Sequence, residues 1–157
     1  MESIAVFPGT FDPITNGHLD LIKRATRIFD KIIVAVAASP SKHTMFDLKT
    51  RVNMCKESIK DFNNVTVEGF DGMLIDYLNR KHSSILLRGV RSGLDFEYES
   101  QLSNMYKVEN PDIEMVILTP NPAVSFISST LVREVIIHHG SIEKYVPKAV
   151  VNKVKEL

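Results

Sequence analysis

Short runs in which every residue is apolar alternate along this chain with longer stretches in which apolar residues return every third or fourth position. Ile32-Ile33-Val34-Ala35-Val36 and Ile85-Leu86-Leu87 are of the first kind. A strand without polar alternation is one covered on both faces. Leu21, Ile22, Ala25, Ile28 and Phe29 are of the second kind and mark one face of a helix. Carried along the chain, the two periods predict strands at 3–8, 31–38, 64–69, 84–90 and 114–119. Helices are predicted at about 17–29, 48–60, 72–81, 94–107, 129–138 and 147–156. This alternation predicts an α/β fold, a doubly wound five-stranded parallel sheet in the order 3-2-1-4-5 with flanking helices and C-terminal helices.

In such a sheet ligands sit outside the carboxyl ends of the strands, where the strand order reverses. Here that crevice lies between the first and fourth strands. The segments leaving them are GTFDPITNGH, residues 9 to 18, and RGVRSG, residues 88 to 93, and beside them come SPSK after the second strand and TPNPAVSFISST after the fifth. Nearly every unusual polar segment therefore converges on one edge. Thr15 can cap the helix that follows, Gly17 lets another group approach the backbone, and His18 stands in the first turn. Free amides and the positive end of the helix dipole favour an anion there, and an imidazole N–H adds a directional donor. A histidine bonded only to its own loop is the bland alternative. Arg88 and Arg91 offer planar forks for phosphate oxygens and Lys42 a flexible point charge. Ser128, Ser129 and Thr130 stand in succession at a further helix start, with Arg133 one turn on. Capping accounts for one hydroxyl, and the three together suggest a second phosphate cradle.

Composition narrows the partners. The 157 residues fit one domain spanning 1–157, and nineteen Lys and Arg balance nineteen Asp and Glu. No global field draws the chain to nucleic acid or to an anionic membrane, so an anionic ligand must be met locally. The single cysteine, Cys55, shares a helical face with Leu48, Val52, Ile59 and Phe62 and reads as core. No basic leader precedes the first strand, and the longest apolar run is far too short to span a bilayer, so a cytoplasmic protein is expected. Neither a P-loop nor a dinucleotide G-x-G-x-x-G is present, and no Cys/His spacing reads as a zinc site.

The T-x-G-H of Thr15 to His18, together with the I-S-S-T-x-x-R of Ile127 to Arg133, resembles the motif pair of the nucleotidyltransferase superfamily. With GTFDPITNGH, the ASPSK of residues 38 to 42, RG-x-R and the DFEYE of residues 95 to 99, the resemblance extends end to end to the bacterial phosphopantetheine adenylyltransferases. It implies a Rossmann-like fold and transfer of the adenylyl group of ATP to 4'-phosphopantetheine, giving dephospho-coenzyme A and pyrophosphate in the penultimate step of coenzyme A synthesis. Thr10, Lys42, Leu74 and Arg88 match positions that hold the phosphopantetheine. Thr10, Phe11, His18, Gly89, Val90, Arg91 and Glu99 match positions that hold ATP, as do Val124, Ser125, Phe126, Ile127, Ser128, Ser129 and Thr130. His18 matches the transition-state stabiliser. The resemblance further implies Mg2+ held through the ATP phosphates with no protein ligand, and a homohexamer. Val124, Thr130 and Ser92-Gly93-Leu94 depart from the usual residues, though Thr130 keeps a hydroxyl. A relative acting on nicotinamide mononucleotide, or a non-catalytic nucleotide sensor, is the rival reading.

Overall fold

The computed structural model describes residues 1–157. The elements follow in the order β1 (Ile4–Gly9), α1 (Asn16–Ala25), β2 (Lys31–Ala37), α2 (Leu48–Ile59), β3 (Val65–Phe70), α3 (Leu74–Arg80), β4 (Ile85–Gly89), α4 (Gly93–Glu109), β5 (Glu114–Leu118), α5 (Ser129–Ile137) and α6 (Lys148–Val154). All strand pairs are parallel, in the order β3-β2-β1-β4-β5. This is the predicted topology.

Side chains alternate across a strand, and β1 shows the consequence. Ala5 and Phe7 enter a core of 23 buried residues on one face of the sheet. Val6, between them, enters a smaller core of seven on the other. The larger core is completed by Leu21, Ile22 and Ala25 of α1, Met54, Cys55 and Ile59 of α2, Val132 of α5 and Val150 of α6. The smaller one is closed by Ile75, Tyr77 and Leu78 of α3. Four helices thus cover one face and α3 and α4 the other. Of the seventeen residues of α4 only Glu99 is buried.

Two sequence expectations need correction. The first helix was expected to reach residue 29, but α1 ends at Ala25. The Thr26 hydroxyl donates to the Lys23 carbonyl at 2.7 Å, and Arg27 and Ile28 bond three residues back, to Arg24 and Ala25. This tightening turns Ile28 out to 54 % exposure, whereas Phe29 stays in the core. The helix expected at 72–81 begins only at Leu74, because Gly72 holds φ +83, a left-handed turn outside the helical region.

Cys55 is fully buried, and burial pushes its thiol up to about 12, which supports the reading of this cysteine as core. In the folded protein at pH 8 a disulfide reagent should therefore label Cys55 no faster than the chain unfolds, with full labelling in denaturant. Rapid stoichiometric labelling without denaturant would show an accessible thiolate and a looser core than described.

Candidate active site

Parallel strands end together, so the loops leaving β1, β4 and β5 meet above the sheet. They enclose a cleft of about 280 Å3. Its floor is the end of β1, its sides are the start of α1 and the 88–91 turn, and its rim is Pro120, Val124 and Ile127 to Ser129. A larger groove of about 610 Å3 between α2 and α6 is lined by Thr50, Glu57, Lys60, Lys153 and their neighbours, and holds none of the residues marked by the sequence.

Two helices begin at this cleft. Thr15 caps α1, its hydroxyl accepting from the His18 amide at 3.4 Å, while His18 Nδ1 accepts from the Thr15 amide at 3.0 Å. This is a capping box with histidine where Glu or Gln usually stands. The reciprocal bond settles a tautomer: Nδ1 is an acceptor, so in the neutral ring the proton is on Nε2, which makes no hydrogen bond within the protein. The Phe11 ring lies edge-on to His18, with centroids 4.9 Å apart, and against Phe7 at 5.3 Å. Phe11 holds φ +49, a left-handed conformation unfavourable to a bulky residue, and the residue is 3 % exposed. Gly9 makes room for it, since a Cβ there would sit 3.0 Å from the ring. One ring nitrogen of His18 is therefore bonded to its own loop, and the other has no partner within the protein.

Burial lowers the His18 pKa to about 4, and the charges of Arg91 and Arg88 act in the same direction. At neutral pH the ring is an uncharged N–H donor. The second helix start is α5, capped by Ser128, whose hydroxyl accepts from the Leu131 amide at 3.1 Å. Gly17 lies against this start, where an added Cβ would be in contact with the Ile127 carbonyl at 3.4 Å. The amides of Gly17, Ser129 and Thr130 stand in first turns, where no intrahelical acceptor exists.

The expected cradle of three hydroxyls needs restating. Ser128 is the cap, Ser129 Oγ donates to the Pro13 carbonyl at 2.8 Å, and Thr130 Oγ1 accepts from Arg133 Nη2 at 3.2 Å. Ser129 thus gives its proton to Pro13, whereas Ser128 and Thr130 only accept and keep their O–H protons as donors beside the first-turn amides. Arg88 is engaged too: Nε and Nη2 bind both Glu99 oxygens at 3.0 and 2.6 Å, and Nη1 donates to the Pro8 carbonyl at 3.1 Å. Arg91 is the freer cation, half exposed with its nearest carboxylate, Asp95, 3.8 Å away.

The structure does not bring every marked residue into one cavity. Phe11, His18, Arg88, Gly89, Val90 and Arg91 line the cleft, as do Val124, Ile127, Ser128 and Ser129. Thr10, Lys42, Glu99, Ser125, Phe126 and Thr130 lie outside its lining. Lys42 Nζ is 3.4 Å from Thr10 Oγ1, which pairs these two at the ends of β1 and β2. Leu74 lines a separate hollow of about 250 Å3 with Ala37, Ser39 and Phe70. Arg88, grouped with Leu74 and Lys42 by resemblance, lines the His18 cleft instead.

Sequence reasoning passed over two buried residues behind these loops. Asp12 is 3 % and Arg51 1 % exposed, and both are fully engaged by backbone groups of the loops. A signal existed for Arg51: it lies three residues from Leu48 and four from Cys55, on the apolar stripe of α2.

A neutral donor, two helix starts and a half-exposed arginine, with no side chain poised as nucleophile, suit stabilisation of charge on a phosphate under attack. That is the site of a nucleotidyltransferase. The Cytidylyltransferase-like family profile matches residues 6–135. A phosphopantetheine adenylyltransferase from Tolumonas auensis is 48 % identical over 155 residues, covering 99 % of this chain and 94 % of the relative. Among solved structures, a candidate nicotinate-nucleotide adenylyltransferase from Vibrio parahaemolyticus superposes with a TM-score of 0.75, covering 99 % of this chain and 94 % of that one. At 18 % identity it shows the fold alone. The chain belongs to the cytidylyltransferase-like nucleotidyltransferases and, within them, to the phosphopantetheine adenylyltransferases.

The lowered His18 pKa has a measurable sign. The unfolded chain binds this proton near 6.5 and the folded chain only near 4, so unfolding takes up a proton in between. Acidification across that window should destabilise the fold, and His18→Ala should lose that part of the pH dependence. Histidine ring resonances followed by NMR should show His18 still neutral at pH 5.5; a midpoint at or above 6.5 would contradict the geometry.

Proposed function

We propose that His18 Nε2–H, together with the first-turn amides of α1 and α5, stabilises the charge that develops when the phosphate of 4'-phosphopantetheine attacks the α-phosphorus of ATP. The activity is adenylyl transfer, yielding dephospho-coenzyme A and pyrophosphate in coenzyme A biosynthesis. The observation that carries this reading is the reciprocal Thr15–His18 cap, which leaves one ring nitrogen as a neutral donor beside two helix starts. A new bond forms from an acceptor phosphate oxygen to the α-phosphorus. The bond from that phosphorus to the bridging oxygen breaks, and pyrophosphate leaves with the electron pair. No base is required, since a phosphomonoester has its second pKa near ~6 and is mostly a dianion at neutral pH. Alignment and electrostatics supply the rate.

Arg91, exposed at the cleft, would face the nucleotide phosphates, and Lys42 with Thr10 the acceptor's phosphate. Magnesium would be held by ATP oxygens, where it neutralises charge on the phosphates. Both oxygens of the buried Glu99 are bound to Arg88, so this carboxylate is already paired within the protein. Leu94, Tyr98, Met105 and Val108 leave an apolar stripe exposed along α4, which supports a homo-oligomer, taken as a hexamer. ATP as substrate supports a cytoplasmic location. No helix is long and apolar enough to cross a membrane.

Pyrophosphate release should be seen with ATP and 4'-phosphopantetheine, and not with ATP and nicotinamide mononucleotide; activity confined to the latter pair would overturn the assignment. His18→Ala should fold and bind ATP yet lose at least about a hundredfold in kcat, as removal of one donor aimed at developing charge does. In calorimetric titrations Lys42→Ala should weaken 4'-phosphopantetheine about ten- to a hundredfold and Arg91→Ala should act chiefly on ATP. Equal losses of both ligands in both variants would refute the partition. Sedimentation should show a hexamer; a concentration-independent, active monomer would rule it out.

A further inference from the structure

We propose that Arg51 is a positioning residue that sets the distance between Lys42 and Thr10, and so builds the half-site for the acceptor's phosphate. The inference rests on the adenylyl-transfer reading given above.

Parallel strands that end at one edge leave carbonyls there that the sheet does not satisfy. Arg51, in the first turns of α2, reaches under that edge and collects them. Its Nη1 donates to the carbonyls of Thr10 at 2.8 Å and Ala37 at 2.7 Å, its Nη2 to Ala38 at 3.4 Å, and its Nε to Phe46 at 3.0 Å. The side chain is only 1 % exposed, and the guanidinium makes no hydrogen bond to a carboxylate. A buried permanent charge whose hydrogen bonds all go to backbone carbonyls, with the Asp12 carboxylate acting on it only through its field, is an unfavourable arrangement if its purpose is to fill a core. It becomes intelligible through what the carbonyls carry.

Thr10 bears the hydroxyl that meets Lys42. Ala37 and Ala38 lead into the segment that holds Lys42, and Phe46 closes it. Between them Pro40 to His43 are exposed, and Lys42 is fixed by nothing but a turn bond from its amide to the Ser39 carbonyl at 2.9 Å and its 3.4 Å approach to Thr10. Asp12 secures the far end of the same segment, its two oxygens accepting from the amides of Met45 at 2.8 Å and Phe46 at 3.0 Å. An exposed loop is thus held at both feet by buried charges, and one guanidinium is shared between that loop and Thr10. Lysine in its place would keep the charge but could not span four carbonyls, because an ammonium is a point donor and a guanidinium a planar fan.

A purely architectural role would weaken the fold and both substrates together. The positioning role separates them, and R51K tests it. Calorimetry should find 4'-phosphopantetheine weakened about tenfold or more, since small displacements of a binding group are felt strongly. ATP should stay within about threefold of wild type, the scatter of a distant substitution. Because Arg51 acts through Lys42, R51K added to Lys42→Ala should weaken the acceptor little beyond Lys42→Ala alone. Unaltered acceptor binding in R51K, equal losses of both ligands, or additivity with Lys42→Ala would each overturn the proposal. Should R51K not fold, hydrogen exchange on the unmutated enzyme decides: residues 38–46 should gain protection with 4'-phosphopantetheine and none with ATP alone, and any other pattern overturns it. Turnover by the unmutated enzyme separates the two claims. No turnover defeats the parent reading, whereas turnover with an unaffected R51K defeats this one only.

Discussion

The hydrogen bond from the Thr15 amide to His18 Nδ1 is a local one, three residues apart, yet the site is organised around it. It closes the capping box that starts α1 where β1 has ended. It places the imidazole in the first turn, against the Phe11 ring, and leaves Nε2 as the donor. The left-handed Phe11 and the bare Gly9 are the backbone arrangements that let this contact form. Replacing the histidine by glutamate would keep the cap and put a negative charge beside the proposed phosphate position. The choice of residue is therefore chemical rather than structural.

A chain with no net charge can still gather a polyanion if its charges are placed locally. Here the placement is uneven. Arg88 is largely neutralised by Glu99, Arg91 is half exposed, and Arg51 is buried beneath the loop that carries Lys42. The positive character of the strand edge thus comes as much from backbone amides and helix starts as from free side-chain charge. Burial, and after it the charges of Arg91 and Arg88, keep His18 from holding a proton, so that it donates without adding a charge to be desolvated.

Much of this was legible in the chain. Apolar runs and helical stripes predicted the elements and the doubly wound sheet, whose usual order is the one observed, and the polar segments at strand ends pointed to one edge. The positions where hydrogen bonding competes with hydrophobic period were not legible. Ile28 lies on the α1 stripe, yet a threonine back-bond turns it outward. Among the three consecutive hydroxyls, the bond from Ser129 to the carbonyl of Pro13, distant in sequence, could not be read from the chain. Arg51 was hidden because a cation within a helix is ordinarily solvated, and only its place on the apolar stripe hinted otherwise. Leu74 and Arg88 shared a motif-based grouping that the separate hollows divide.

Thr15 and Ser128 cap the two helices and Ser129 donates to the Pro13 carbonyl, and the proposed reaction gives none of the three a covalent role. The transfer proposed above is a single in-line displacement at the α-phosphorus. The stereochemical course with ATP made chiral by sulfur at that phosphorus tests this most directly. The account predicts inversion of configuration in the product. Retention would require two displacements through a covalent adenylyl-enzyme, and would contradict a site that works by alignment and electrostatics alone.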